Sequence, residues 1–270
     1  MTTDRAPVRF AKLEGLGNDF MLVDARSGAP TPPLDPAILR RLADRRLGVG
    51  FDQFLLLLPS RDDAAFAVVI HNADGSPAEQ CGNGMRALAA WLDAHDQLPE
   101  HGLVVATPAG PVHLDRAEPI DGQAAWSAEL PGLQLLERGP GRREVRLGNP
   151  HRVLRVDVPP DAEALAAAFR AEPDAAGLNL GLACAVDRHR IALRVHERGA
   201  GPTPACGSGA CAAAASMIAS GEVDRPVRVD QPGGSVVVDW QPGESRVRLT
   251  GPARPIFEGW IAWPNPTPPN

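Results

Sequence analysis

Two cysteines, Cys81 and Cys206, each open the same short pattern: Cys-Gly-polar-Gly followed at once by an apolar run. Cys81-Gly82-Asn83-Gly84 leads into MRALAAWL, and Cys206-Gly207-Ser208-Gly209 leads into ACAAAASMI. A cysteine at the start of a helix sits at the positive end of the dipole, beside backbone N–H groups that lack intrahelical partners. That position is expected to favour thiolate and to lower both thiol pKa values below the free value of about 8.5. The glycines let a ligand approach the backbone, and the free N–H groups suit a carboxylate. Inverting a carbon centre by proton transfer needs a base on one face and an acid on the other, and a thiol serves as either. Donors at both turns would stabilise the charge that develops as the proton leaves.

Other chemistries fit less well. Cys184 (in GLACAV) and Cys211 (in the alanine-rich run) read as small buried hydrophobes. A metal held by Cys206 and Cys211 with His196 or Glu197 lacks the usual ligand spacing, and no C-x-x-C occurs, so no metal site is expected. There is no G-x-x-x-x-G-K-[ST], and no G-x-G-x-x-G after a strand. Gly207-Ser208-Gly209 lacks the spacing of a serine-hydrolase elbow. No cofactor is expected. A thiol redox or metal module remains the alternative from another class; it predicts a bound metal or a Cys81–Cys206 disulfide as the working state.

The elements that must position these turns are short. The chain has 270 residues, enough for one large domain or two small ones. Its 27 glycines and 28 prolines favour many strands joined by turns over a helical bundle. Net charge is −6 with both signs interspersed, which argues against a nucleic-acid partner. No apolar run approaches the roughly 20 residues of a membrane helix. MTTDRAPVRF does not read as a signal peptide. A cytoplasmic protein with no membrane partner is expected, and there structural disulfides are disfavoured.

Strands are expected near 8–12 and 21–24, around the turn-like 15–19. Asp35-Pro36 should open a helix as N-cap and first residue. Strands follow at 54–58 and 66–70, a helix at 84–97, and strands at 103–107, 111–114 and 125–130. The grammar then repeats: strands at 144–147 and 153–156, a capped helix at 161–170, a hairpin of 182–186 with 191–196, and a helix at 209–219. Strands at 227–229, 235–240, 246–249 and 256–262 complete it. The tail 264–270 (PNPTPPN) is expected to be disordered. Two C-G-x-G turns in halves of like pattern favour internal duplication.

The chain resembles the diaminopimelate epimerase family, pyridoxal-independent enzymes that interconvert the L,L and meso forms of that diamino diacid. The matching stretches are GLGNDF (15–20), GVGFDQ (48–53), NADGSPAEQCGNGMR (72–86), GNPH (148–151), LNLG (178–181), ERGAG (197–201), ACGSGACA (205–212) and GPARPIFEG (251–259). The resemblance implies an α/β fold of the α+β type: two pseudo-symmetric domains, each a mostly antiparallel sheet wrapped around a central helix. It implies an N-terminal domain of 1–130 plus 255–270 and a C-terminal domain of 131–254. It implies Cys81 as proton donor and Cys206 as acceptor in one direction, acting on an amino-acid substrate of lysine and peptidoglycan precursor synthesis. Gly82, Asn83, Gly207 and Ser208 would line the reacting carboxylate. Asn18, Gln53, Asn72, Asn149 and Asn179 would bind amino and carboxyl groups. Arg198 would clamp the distal carboxylate, and His151 and Glu197 would tune the thiols. A homodimer is the family expectation.

Plainer readings stand beside these. Asn18 and Asn149 also suit turns, Gln53 a solvated strand start, Glu197–Arg198 a surface pair, and His151 a satisfied core histidine. A proline-type or histidine racemase using the same cysteine pair is the nearest rival. His71, His196 and Pro202 depart from the family pattern. Phe257 stands where some members carry a tyrosine linked to dimerisation.

Overall fold

The computed structural model describes residues 7–28, 31–60, 62–137 and 142–264. Apart from Pro264, the tail expected to be disordered lies outside the described residues.

The first half runs β1 (Val8–Gly15), β2 (Asn18–Asp24), α1 (Pro36–Ala43), β3 (Gln53–Leu58), β4 (Phe66–Asn72), β5 (Pro77–Ala78), α2 (Gly82–Ala94), β6 (Leu103–Thr107), β7 (Gly110–Ile120) and β8 (Gln123–Leu130). Next come β9 (Gln134–Glu137), β10 (Arg142–Leu147), β11 (Asn149–Arg155), α3 (Ala162–Ala171), β12 (Asn179–Asp187), β13 (Arg190–Glu197) and β14 (Gly201–Thr203). The chain ends with α4 (Gly207–Ala219), β15 (Val227–Gln231), β16 (Gly234–Asp239), β17 (Val247–Pro252) and β18 (Arg254–Ile261). The fold is mixed α/β and mostly strand, as expected.

The strand pairing repeats step for step. In the first half β1–β2 is antiparallel, β2–β3 parallel, β3–β4 and β4–β5 antiparallel, β4–β6 parallel, then β6–β7 and β7–β8 antiparallel. In the second half β10–β11 is antiparallel, β11–β12 parallel, β12–β13 and β13–β14 antiparallel, β13–β15 parallel, then β15–β16 and β16–β17 antiparallel. A parallel pair needs a crossover connection; α1 and α3 supply one in each half, α2 and α4 the other. β8 pairs with β17 and joins the halves. The final strand β18 returns to pair with β1, as β9 pairs with β10.

Local chemistry explains the helices. The Asp35 and Asp161 carboxylates accept from Ala37 N and Ala164 N at 2.7 and 2.8 Å, capping α1 and α3. α2 is buried from Gly82 through Leu92, and α4 is buried at nearly every position. A helix apolar on all sides belongs at the centre of a wrapped sheet. The alanines of α4, Ala212 to Ala215, leave no exposed surface, and their small side chains let strands close around the helix. Cys184 and Cys211 lie in the core at 3% and 0% exposure, as expected.

Candidate active site

Each helix-opening cysteine is the N-cap of its helix. Cys81 has φ −148° and ψ 99°, and its Sγ accepts from Gly84 N at 3.2 Å. Cys206 has φ −129° and ψ 111°, and its Sγ accepts from Gly209 N at 3.4 Å. Both helices therefore begin two residues earlier than expected, at Gly82 and Gly207. The last glycine of each motif makes room for the sulfur. A β-carbon on Gly84 would lie 3.1 Å from Cys81 Sγ, and one on Gly209 would lie 3.3 Å from Cys206 Sγ. The first glycine serves the approach of the two helices. Leu249 Cδ2 would meet a β-carbon on Gly82 at 2.7 Å and one on Gly207 at 2.9 Å. One leucine of β17 is thus wedged against both turns.

A cleft of about 680 Å³ opens between the turns, lined by both cysteines. Every site residue expected from the sequence except His151 lines it: Asn18, Gln53, Asn72, Gly82, Asn83, Asn149, Asn179, Glu197, Arg198, Gly207 and Ser208. Hydrogen bonds fix their side chains. Gln53 Nε2 donates to Asn72 Oδ1 at 2.9 Å, and Asn72 Nδ2 donates to Ser76 Oγ at 3.0 Å. Asn18 Nδ2 donates to Asp52 Oδ2 at 2.7 Å. Arg198 donates from its backbone N to Asn179 Oδ1 at 2.8 Å and from Nη2 to Asn149 Oδ1 at 3.0 Å. His151 is buried behind the cleft, with Nε2 3.4 Å from Asn179 Nδ2. Its contact is with a cleft amide rather than with either thiol.

Some lining residues escaped the sequence reading. Arg45 donates to Asp19 and Asp52 at 2.7 Å and anchors the Asn18 wall. Thr203 Oγ1 donates to Glu197 Oε1 at 2.6 Å. Asp52 sat in GVGFDQ beside Gln53 and was within reach of the motif; Arg45 and Thr203 carried no local signal. Among the described residues no three His, Cys, Asp or Glu side chains converge as a metal site would need.

The electrostatics overturn one expectation. Burial pushes the Cys81 thiol up to about 12, although the Gly84 N–H pulls the other way. Burial, reinforced by the Glu197 carboxylate, pushes Cys206 well above its usual value, against the Ser208 hydroxyl and the Gly209 N–H. The helix starts do favour thiolate, but loss of water around sulfur outweighs them. Burial likewise raises Glu197, against hydrogen bonds from Thr203 and Cys206. Burial holds His151 neutral, down at about 4.

The frame recurs in proteins of known structure. A phenazine biosynthesis protein of the PhzF family from Bacillus anthracis superposes with a TM-score of 0.69 at 15% identity, over 96% of this chain and 100% of that one. That likeness gives the fold; the family and the relatives that follow make the chain an isomerase, an epimerase. The chain belongs to the diaminopimelate epimerase family, whose model matches residues 10–119 and 144–256. It is 41% identical to diaminopimelate epimerase of Alkalilimnicola ehrlichii, over 94% of this chain and 98% of that protein. It is 38% identical to that of Xylella fastidiosa, over 94% and 96%.

Proposed function

We propose that this chain interconverts L,L- and meso-diaminopimelate by moving an α-proton between Cys206 and Cys81. The observation that carries this reading is the shared cleft: two N-capping thiols, each with free helix-start donors, facing one space lined by amides and Arg198.

In one direction, Cys206 S–H passes its proton to the neighbouring Glu197 carboxylate, which lines the same cleft. The thiolate takes the substrate's α-proton, and the C–H electron pair spreads into the adjoining carboxylate. Cys81 S–H delivers its proton to the opposite face. Burial that raises a thiol's pKa also makes its thiolate a stronger base. Gly82, Asn83, Gly207 and Ser208 hold the reacting carboxylate, where helix-start N–H groups stabilise the growing charge. Asn18, Gln53, Asn72, Asn149 and Asn179 hold the amino and carboxyl groups, and Arg198 takes the distal carboxylate with its planar fork. His151 acts by holding Asn179. The two thiols supply both proton positions, so the step calls for no cofactor.

The reading divides the chain into 1–130 with 255–270 and 131–254, the cleft between them. The β18–β1 pairing supports the return of the last segment. We place the enzyme in the cytoplasm, in lysine and peptidoglycan precursor synthesis, where reducing conditions keep thiols free; all four cysteines are unpaired. A homodimer is supported by β18. Among the described residues it pairs on one side alone, and Ile256, Phe257 and Trp260 on it are exposed at 47%, 50% and 67%.

Incubation of the reduced enzyme with L,L-diaminopimelate in deuterium oxide tests the proposal. Deuterium should enter one α-position as meso product forms, and Cys81→Ala and Cys206→Ala should abolish both. Wild-type turnover in both alanine variants, or turnover of proline or histidine in place of diaminopimelate, would overturn it.

A further inference from the structure

One buried charge has no place in the mechanism above. Arg86, in the second turn of α2, is 0% exposed. Its Nη2 donates to Asn83 Oδ1 at 2.6 Å, and its Nη1 donates to the Pro252 carbonyl at the end of β17 at 2.9 Å. Among the described residues its Nε has no hydrogen-bond partner, and no carboxylate forms an ion pair with it. A buried guanidinium without a carboxylate is costly and calls for a reason. β17 is shaped to receive it: a β-carbon on Gly251 would lie 2.4 Å from Nη1.

What Arg86 holds points to that reason. Asn83 is 3% exposed and lines the cleft. Its Oδ1 lies 2.6 Å from where a β-carbon on Gly207 would be, at the start of α4. With that oxygen engaged by Arg86, the amide's N–H donors are the groups it has free for a ligand. The titratable groups facing Arg86 are the Cys81 and Cys211 thiols and Glu14, which pairs instead with Arg254 at 3.1 Å. Those facing Cys81 are Glu197, Arg86 and Asp52. Of these Arg86 is the one cation.

We infer that Arg86 is a positioning residue for the epimerisation proposed above: it turns Asn83 to donate into the cleft, and it sets a buried positive charge behind the Cys81 turn. The Cys81 thiol thus faces the Glu197 carboxylate and the Arg86 cation together. The inference rests on the functional reading for its consequence in catalysis, but its electrostatic half can be read without substrate.

The experiment compares wild type, Arg86→Gln and Arg86→Lys. It reads iodoacetamide alkylation of Cys81 and Cys206 separately by peptide mass spectrometry at pH 8 to 9, alongside kcat and KM for L,L-diaminopimelate and thermal melting. In Arg86→Gln, alkylation of Cys81 should slow about tenfold, one pKa unit. Its kcat should fall at least about tenfold. Arg86→Lys should restore the Cys81 rate but keep a raised KM, because one ammonium cannot span Asn83 and Pro252 as the fork does. A folded Arg86→Gln with wild-type Cys81 alkylation overturns the inference. If Arg86→Gln does not fold, wild-type KM in Arg86→Lys overturns it instead. An Arg86→Gln variant whose Cys81 alkylation slows as expected, in a protein that fails to epimerise diaminopimelate, would sink the functional reading and leave the effect of Arg86 on Cys81 standing.

Discussion

The side-chain oxygen of Asn83 lies 2.6 Å from the point a β-carbon on Gly207 would occupy. The two cysteine turns are therefore in contact through a side chain that belongs to one and a vacancy that belongs to the other. Gly207→Ala fills the vacancy, and it also meets Leu249 Cδ2 at 2.9 Å. Leu249 is fully buried and cannot retreat into solvent. The expected cost is about 1–3 kcal/mol of stability from overpacking, together with a drop in kcat/KM of at least about tenfold as Asn83 is displaced. Gly177→Ala is the control, since no atom lies within 4 Å of its added carbon. Denaturant melts and steady-state kinetics of both variants check this, and equal behaviour of the two would refute the contact.

The features legible in the sequence were those whose causes are local. The C-G-x-G turns state their own requirement, because a sulfur lying over the third backbone N–H and two crowded helix starts leave no room for side chains at the glycines. Asp35 and Asp161 announce their helices by the same logic. The start of α2 and α4 was read two residues late because cysteine is outside the usual N-cap set. β5, β9 and β14, at two to four residues, are too short to show a period. Arg45 and Thr203 reach the cleft through packing between distant segments. The direction of the thiol pKa shifts was misread for the same reason: the helix start is local, whereas the burial that overrides it is built by strands far along the chain.

Glu197 and Cys206 offer a sharper test of the mechanism. The carboxylate raises the thiol's pKa, and in the proposed step it also takes the thiol's proton. Glu197→Gln should therefore move two readouts in opposite directions. Alkylation of Cys206 at pH 8 to 9 should quicken, because a neighbouring negative charge is gone. Turnover should fall by roughly 10²–10⁴, because the proton acceptor is gone as well. Thr203 keeps an amide oxygen to donate to, so folding should hold. Kinetics and peptide-resolved alkylation on one preparation suffice, and a variant in which both rates fall together would contradict the assigned role.

Acid should lower the protein's stability across two pH windows, one for each of two groups near the cleft, the buried His151 and the half-buried Asp19. His151 is held neutral at about 4 by burial, against an ordinary 6.5. A histidine with a depressed folded pKa contributes stability above its unfolded value and loses it as pH falls, here between 6.5 and about 4. Asp19 behaves likewise at lower pH. Burial raises it, but hydrogen bonds and charge from Arg45 and Lys12 outweigh burial and bring it from 3.8 to about 2. Its contribution is present above 3.8 and is lost as pH falls toward 2. Melting temperature should therefore decline across both windows. His151→Gln should flatten the upper one and leave the lower slope, and Asp19→Asn should do the reverse. Melts recorded from pH 7 to pH 2 read both at once. A His151→Gln variant that keeps the full decline between 6.5 and 4 would show that the histidine is not buried neutral behind Asn179, and would remove the support it gives that side of the cleft.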